Sequence, residues 1–264
     1  MFTDKDREQI AARGSCPEEV LRQIDCFKTG FPWLPVVDAA SPGKGIVQVS
    51  ETETGKLVQL FQEKAASGLH IMKFVPASGA ASRMFKSLFS ALDDLAEGKT
   101  EEEVLARYKD AREFYDRIGD FAFFGELQAA IRNAGERPVL QNLLDFLLTP
   151  RGLNYGNLPK GLLLFHAYAG YCRTPFEEHL VEGAHYAKDG QQVVRLHFTV
   201  SPEHETAFRH HLEAVKEKYE SEYGVTYEVG FSRQKPSTDT IAVDLNNEPF
   251  RENDGSLLFR PGGH

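Results

Sequence analysis

Cysteine is scarce in this chain: Cys16, Cys26 and Cys172 are scattered, and none forms a C-x-x-C pair. That spacing argues against a disulfide framework or a zinc ribbon and points to a reducing compartment. Long apolar runs are missing too, since no stretch approaches the ~18 consecutive apolar residues of a membrane helix. The N-terminus, Met1 to Glu8, is charged and has no apolar signal core. From these absences we expect a cytoplasmic chain with no membrane partner. Positive charge is in deficit, with 30 Lys and Arg against 39 Asp and Glu and a net charge of −9. Such a balance argues against nucleic acid as a partner, but a small anionic ligand needs only a few converging cations. No H-E-x-x-H is present, because His204-Glu205 is followed by histidine only at His210. The histidines therefore read as surface or packing residues rather than metal ligands.

What is present describes an ordinary globular chain, 41% hydrophobic and 26% charged over 264 residues. The segment up to Gly30 reads as helical, Gly30 to Pro35 breaks it, and a further helix spans Gly55–Ser67. A buried strand is expected over His70–Val75, followed by an amphipathic helix over Ser82–Ala96. Helical spacing continues from Thr100 to Leu148, with a break near Gly135. Thr100 followed by Glu103 is a capping-box signature. After Pro150 the texture alternates. Strands are expected at Gly161–Ala167, Val193–Ser201 and Thr226–Ser232, with helices at Thr174–Lys188 and Pro202–Glu222. Short strands are expected at Thr240–Leu245 and Ser256–Arg260. Strands alternating with helices of this length imply a mostly parallel sheet covered on both faces.

Five segments carry residues suited to chemistry. The first, Ser78-Gly79-Ala80-Ala81-Ser82-Arg83-Met84, joins a strand end to a helix start. Small residues admit a ligand close to the backbone, a helix start offers N–H groups, and Arg83 adds a fork of donors for phosphate oxygens. A tight strand-to-helix turn would account for the same residues. The second, Pro159-Lys160-Gly161, supplies a point charge before an apolar run, or a plain surface turn. The third, Thr199-Val200-Ser201-Pro202, is a hydroxyl-bearing strand end or an ordinary helix start. The fourth, Phe231 to Asp239, combines Arg233 and Lys235 with Gln234, whose amide suits a base edge or sugar hydroxyl. The fifth is the chain end, Asp254-Gly255 through Pro261-Gly262-Gly263-His264.

In this order the five segments resemble the nucleotidyltransferase fold of the UDP-sugar and UDP-N-acetylhexosamine pyrophosphorylases. Gly79 to Met84 is similar to that family's glycine-rich loop, with Ala81 where glycine is usual. Pro159-Lys160-Gly161 is similar to its Pro-Lys-Gly, and Pro261 to His264 to its late Gly-Gly-His loop. The phrases PASGAASRMFK, PKGLLLFH, RTPFEEHL and STDTIAVD resemble, over nearly the whole chain, an uncharacterised bacterial family, a domain of unknown function.

The resemblance implies a Rossmann-like, mostly parallel mixed sheet with helices on both faces. Residues 1–84 and 159–264 would form the α/β domain, and 85–158 a helical insert. It further implies an NTP or nucleotide sugar as ligand and a sugar phosphate as co-substrate. Arg83 and Lys160 would act on phosphates. Ser78, Gly79, Ala80, Ala81, Ser82, Ser201, Gln234, Gly262 and Gly263 would contact substrate. Mg²⁺ would bridge phosphates, with Asp239 and Asp244 as candidate ligands. Two departures accompany it. Phe85–Leu158 separates Arg83 from Lys160, and the chain stops inside the Gly-Gly-His segment, so we expect a truncated C-terminus with a metal ligand beyond it. A non-catalytic nucleotide- or phosphosugar-binding protein on the same scaffold is the alternative expectation.

Overall fold

The computed structural model describes residues 2–79, 81 and 83–261. By contacts the chain divides into two compact units, Met1–Phe61 with Gln234–His264, and Gln62–Arg233. The N-terminal part contributes α1 (Asp4–Ala12), α2 (Pro17–Thr29), the brief strands β1 (Ser41–Pro42) and β2 (Gly45–Ile46), and α3 (Glu51–Ala66). The second unit continues with β3 (Lys73–Pro76), α4 (Lys86–Ala96), α5 (Glu101–Arg107), α6 (Lys109–Asp116), α7 (Phe124–Asn133) and α8 (Leu140–Leu148). Then come β4 (His166–Tyr168), β5 (Tyr171–Arg173), α9 (Pro175–Tyr186), β6 (Val193–Val200), α10 (Glu205–Tyr223) and β7 (Thr226–Arg233). The chain returns to the first unit with β8 (Thr240–Ile241) and β9 (Phe259–Arg260).

The protein is thus mixed α/β, but its sheets are small. The largest is three-stranded, ordered β3-β6-β7, with both pairs parallel. Strand β6 alternates strictly: Val194, Leu196, Phe198 and Val200 are buried, while the residues between them are half-exposed. That period of two places the apolar set on one face, and α9 and α10 both lie against it through Phe176, Leu180 and Phe208. The approach of α9 is close enough that a Cβ on Gly183 would sit 2.7 Å from Val194 Cγ1. The opposite face carries Phe74, His197 and Gly230 in one row, with the His197 ring stacked on Phe74 at 5.2 Å. A larger sheet with helices on both faces was the expectation; three strands with α9 and α10 on one face is what forms.

One strand expectation is corrected, and the two short late strands form within their expected ranges. Gly161–Ala167 is not a strand: Lys160–Leu162 forms a 3-10 turn, and β4 begins only at His166. Its apolar residues serve two different cores, with Leu163 buried among the helices and Leu162 packed against the sheet core. Consecutive residues on a strand would also face opposite ways, but here Leu164 N–H is held by the Tyr155 hydroxyl rather than by a neighbouring strand. The late strands β8 and β9 pair antiparallel and stand outside the parallel sheet. Only short turns, one with Asn247 and one with Gly255 at positive φ, separate the pieces of this segment. The chain between β8 and β9 folds back on itself through the antiparallel bridges Val243–Pro249 and Arg251–Leu257 and, among the described residues, forms no crossover helix, so the two strands meet antiparallel.

The helices α4 to α8 build their own core around Leu88, Val104, Phe114, Leu127 and Leu144. This core reaches from Ala81 to Leu163 and lies wholly inside the second unit. The Thr100 capping box is present: Thr100 Oγ1 accepts from Glu103 N–H at 3.3 Å, and Glu103 Oε2 accepts from Thr100 N–H at 2.8 Å. In the first unit, α1 and α2 enclose Ile10, Val20 and Ile24 with Ile241 and Leu257. The Gln9 side chain spans the backbone N–H and C=O of Leu257, at 2.9 and 2.8 Å.

Candidate functional site

Parallel strands expose their carboxyl ends at one edge, where loops rather than ladder bonds satisfy the backbone, and open α/β sheets bind ligands there. In the second unit this edge is formed by Pro76 of β3 and Val200 of β6. The loop after β3 is fixed from two sides. Ala77 N–H donates to Thr199 C=O at 2.7 Å, and the Ser201 hydroxyl donates to Ser78 C=O at 3.2 Å. On the other side, Lys160 N–H donates to Gly79 C=O at 3.0 Å and Ala81 N–H to Leu158 C=O at 3.3 Å. The helical segment between residues 85 and 158 therefore returns the Pro-Lys-Gly turn directly onto the small-residue loop. Three of the five segments singled out in the sequence meet here.

Between them lies a cavity of about 190 Å³, walled by Pro76, Gly79, Lys160, Phe176, His179 and Phe198, among others. Gly161 also borders it, but the space a Cβ would take there is already filled by the Phe208 ring at 3.0 Å. Its glycine character thus serves helix packing rather than a ligand. Gly79 has open space at the corresponding position. Lys160 and Arg83 are both exposed, and neither is engaged in an ion pair among the described residues. In a chain of net charge −9, two such cations flanking one loop form a local exception.

Among the described residues, α9 supplies the cavity's second polar side chain. Thr174 caps this helix: its hydroxyl accepts from Glu177 N–H at 3.2 Å, and Pro175 follows at the first helical position, where its missing N–H costs nothing. One turn on, His179 faces the cavity. Burial first, and the nearby Lys73 charge second, hold its imidazole below the usual histidine range, against the opposing pull of Glu182. Its Nδ1 is buried and lies 3.4 Å from Glu182 Oε2, out of line for a hydrogen bond. A neutral imidazole at physiological pH is a donor and acceptor rather than a second anion-binding charge.

Behind α9 sits a buried polar cluster. Glu177 accepts from Thr174 N–H at 2.8 Å and from the Tyr219 hydroxyl at 2.9 Å, with His211 Nε2 3.5 Å away. Burial pushes its carboxyl up, but hydrogen bonds from His211, Thr174 and Tyr219 outweigh that and hold it at about 2. The cluster anchors the first turn of α9 and so fixes where Phe176 and His179 stand.

Other site expectations fare differently. Ala81 is fully buried in the helical core and its N–H is used, so it does not present itself to a ligand. The Ser201 hydroxyl braces the loop. Ala80, Ser82, Gly262 and Gly263 lie outside the described residues. Gln234, Asp239 and Asp244 belong to the first unit, whereas Arg83 and Lys160 belong to the second. Asp239 is bound by Arg13, and the Asp244 carboxylate closes a turn by accepting from Asn246 and Glu248 N–H at 2.8 and 3.0 Å. Among the described residues no three His, Cys, Asp or Glu side chains gather where they would hold a metal ion. Mg²⁺ asks for open carboxylate oxygens and near-octahedral ligands. The Arg13 guanidinium holds Oδ2 of Asp239, and the turn uses Oδ1 of Asp244. Sequence reasoning missed Thr174, Glu177 and His179. Their signal was legible as Thr-Pro-x-Glu, a capping box with proline inside it.

The fold and site define an α/β protein with a small parallel sheet, a helical core inserted between its first two strands, and a cavity at the sheet's carboxyl edge that Lys160 and His179 line. The model of the family described as "Domain of unknown function (DUF4301)" matches residues 3–264, and the chain belongs to that family. Among curated proteins and solved structures there is no match. No helix among the described residues is long and apolar enough to cross a membrane.

Proposed function

We propose that the carboxyl edge of β3 and β6 binds the phosphate of a nucleotide or nucleotide sugar, with Lys160 and Arg83 as its cations. The observation that carries this reading is the Lys160 N–H to Gly79 C=O bond. It joins two segments far apart in sequence into one small-residue, cation-bearing rim. Lys160 supplies a point charge and Arg83 a fork of donors that matches phosphate oxygens. Neutral His179 offers a hydrogen bond without opposing the anion, and the cavity of about 190 Å³, closed at the back by buried Phe176 and Phe198, is of a size for a phosphate group rather than for the whole nucleotide. Asp239 and Asp244 belong to the first unit and Lys160 and Arg83 to the second, so nothing in the described geometry joins a metal to the phosphate site. The binding reading is therefore preferred to nucleotidyl transfer, whose support is the order of the motifs.

Titration of the protein with UTP, ATP and UDP-sugars tests the site. Lys160→Ala and Arg83→Ala are each expected to weaken the best ligand about tenfold, as loss of a charge-assisted bond would. Unchanged affinity in both variants, or no saturable binding of any nucleotide, removes the proposal. Pyrophosphate release from NTPs, sugar phosphates and divalent cations would favour the transferase reading instead.

A further inference from the structure

A larger cavity lies in the helical core of the second unit; Met84, the last residue of the small-residue segment, reaches it, but no residue lining the smaller cavity does. Its volume is about 490 Å³, inside the roughly 300–1,000 Å³ of small-molecule sites. Phe85, Leu88, Phe114, Phe123 and Leu147 are buried beneath it. Met84, Phe121 and Phe165 stand at its rim and keep 45%, 37% and 42% of their surface exposed. Phe121 stacks on Phe123 at 5.1 Å and leans on Phe114 at 5.8 Å, so the cavity is walled by a fan of rings. Apolar area left in water at a concave surface is what an apolar ligand recovers on binding.

The mouth is not electrically neutral. α6 places Asp110, Glu113 and Phe114 on one face through spacings of three and four. Arg117 lies 3.0 Å from Asp120 and 3.9 Å from Glu113, while Asp110 is in no ion pair among the described residues. Three carboxylates thus stand against one guanidinium, at the lip of an aromatic-lined hollow. That combination suits a flat ring carrying a positive charge and opposes an anion.

We infer that this cavity binds an aromatic ammonium compound, its ring among Phe114, Phe121 and Phe123 and its cation beside Asp110. The site stands apart from the phosphate-binding proposal, and the negative lip makes a phosphate an unsuitable occupant.

Three ligands on one scaffold test it against the full chain: 2-naphthylmethylamine, 2-naphthylmethanol and 2-naphthoate, followed by calorimetry. The amine is expected to bind saturably, about threefold to tenfold tighter than the alcohol, as partly exposed ion pairs allow, with the carboxylate weakest. Ala122→Phe, at a wall of the cavity, should abolish binding of all three while leaving nucleotide affinity unchanged. Asp110→Asn, at an exposed position in no ion pair among the described residues, should keep the alcohol affinity and reduce the preference for the amine. Naphthoate binding as tightly as the amine, no saturable binding, or an amine preference that survives Asp110→Asn each overturns the inference.

Discussion

Glu177 shows how one buried carboxylate sets the position of a site it does not line. It is 7% exposed, yet three partners keep it ionised, and its carboxyl is held at about 2. A carboxylate depressed in the folded state stabilises the protein above its unfolded value, and that stabilisation is lost as pH falls through the folded value. The window for Glu177 therefore runs from pH 4.5, its ordinary value, down to about 2. Glu177→Gln is expected to cost on the order of 2 kcal/mol at pH 7 and to flatten the pH dependence of stability across that window. Urea unfolding of both proteins at pH 7 and pH 3 measures this, and a parallel loss in the two would contradict the assignment. His179 rests on the same turn, so the variant should also weaken nucleotide binding. Much of this cluster was readable in the sequence. Thr174, Pro175 and Glu177 form a local pattern, because capping is a contact between residues three apart. His211 and Tyr219 were not readable, since only the packing of α10 against α9 brings them to the carboxylate.

Helices and strands divide along a similar line. The helix over Lys86–Ala96, the break after Asn133 and the strand over Val193–Val200 follow from spacing, because one apolar face at period 3.6 or 2 is enough to select them. The apolar run after Lys160 misled because burial alone does not distinguish a strand from a link between two cores. Tight element packing yields its own expectations. Gly183→Ala places a Cβ 2.7 Å from Val194 Cγ1, and overpacking of this kind costs roughly 1–3 kcal/mol. Thr174→Ala removes the cap of α9 at about 1 kcal/mol. Denaturant midpoints report both. A Gly183→Ala protein as stable as the parent would mean that α9 does not approach β6 this closely.

The division of the whole chain makes a further claim. Both large cores, one among α4 to α8 and one between the sheet and α9 and α10, draw all their buried residues from Gln62–Arg233. The core of Ile10, Val20, Ile24, Ile241 and Leu257 draws none from it. Residues 62–233 expressed alone are therefore expected to unfold cooperatively, with native near-ultraviolet dichroism and retained response to Lys160→Ala. A non-cooperative, dye-binding state of that piece would refute the division. The sequence by itself determined most of the helices, the three parallel strands, the small-residue loop and its cations, because each depends on neighbours within a few residues. It also marked Asp239 and Asp244 as metal candidates and grouped residues 1–84 with 159–264. Which carboxylates stay open is a property of who stands opposite them, and Arg13 answers that for Asp239 across 226 positions. The meeting of Lys160 with Gly79 was equally invisible along the chain. Ion pairs and backbone bonds between distant residues form only once packing has paid the entropy of closing the loops between them, so the tertiary structure alone settles them.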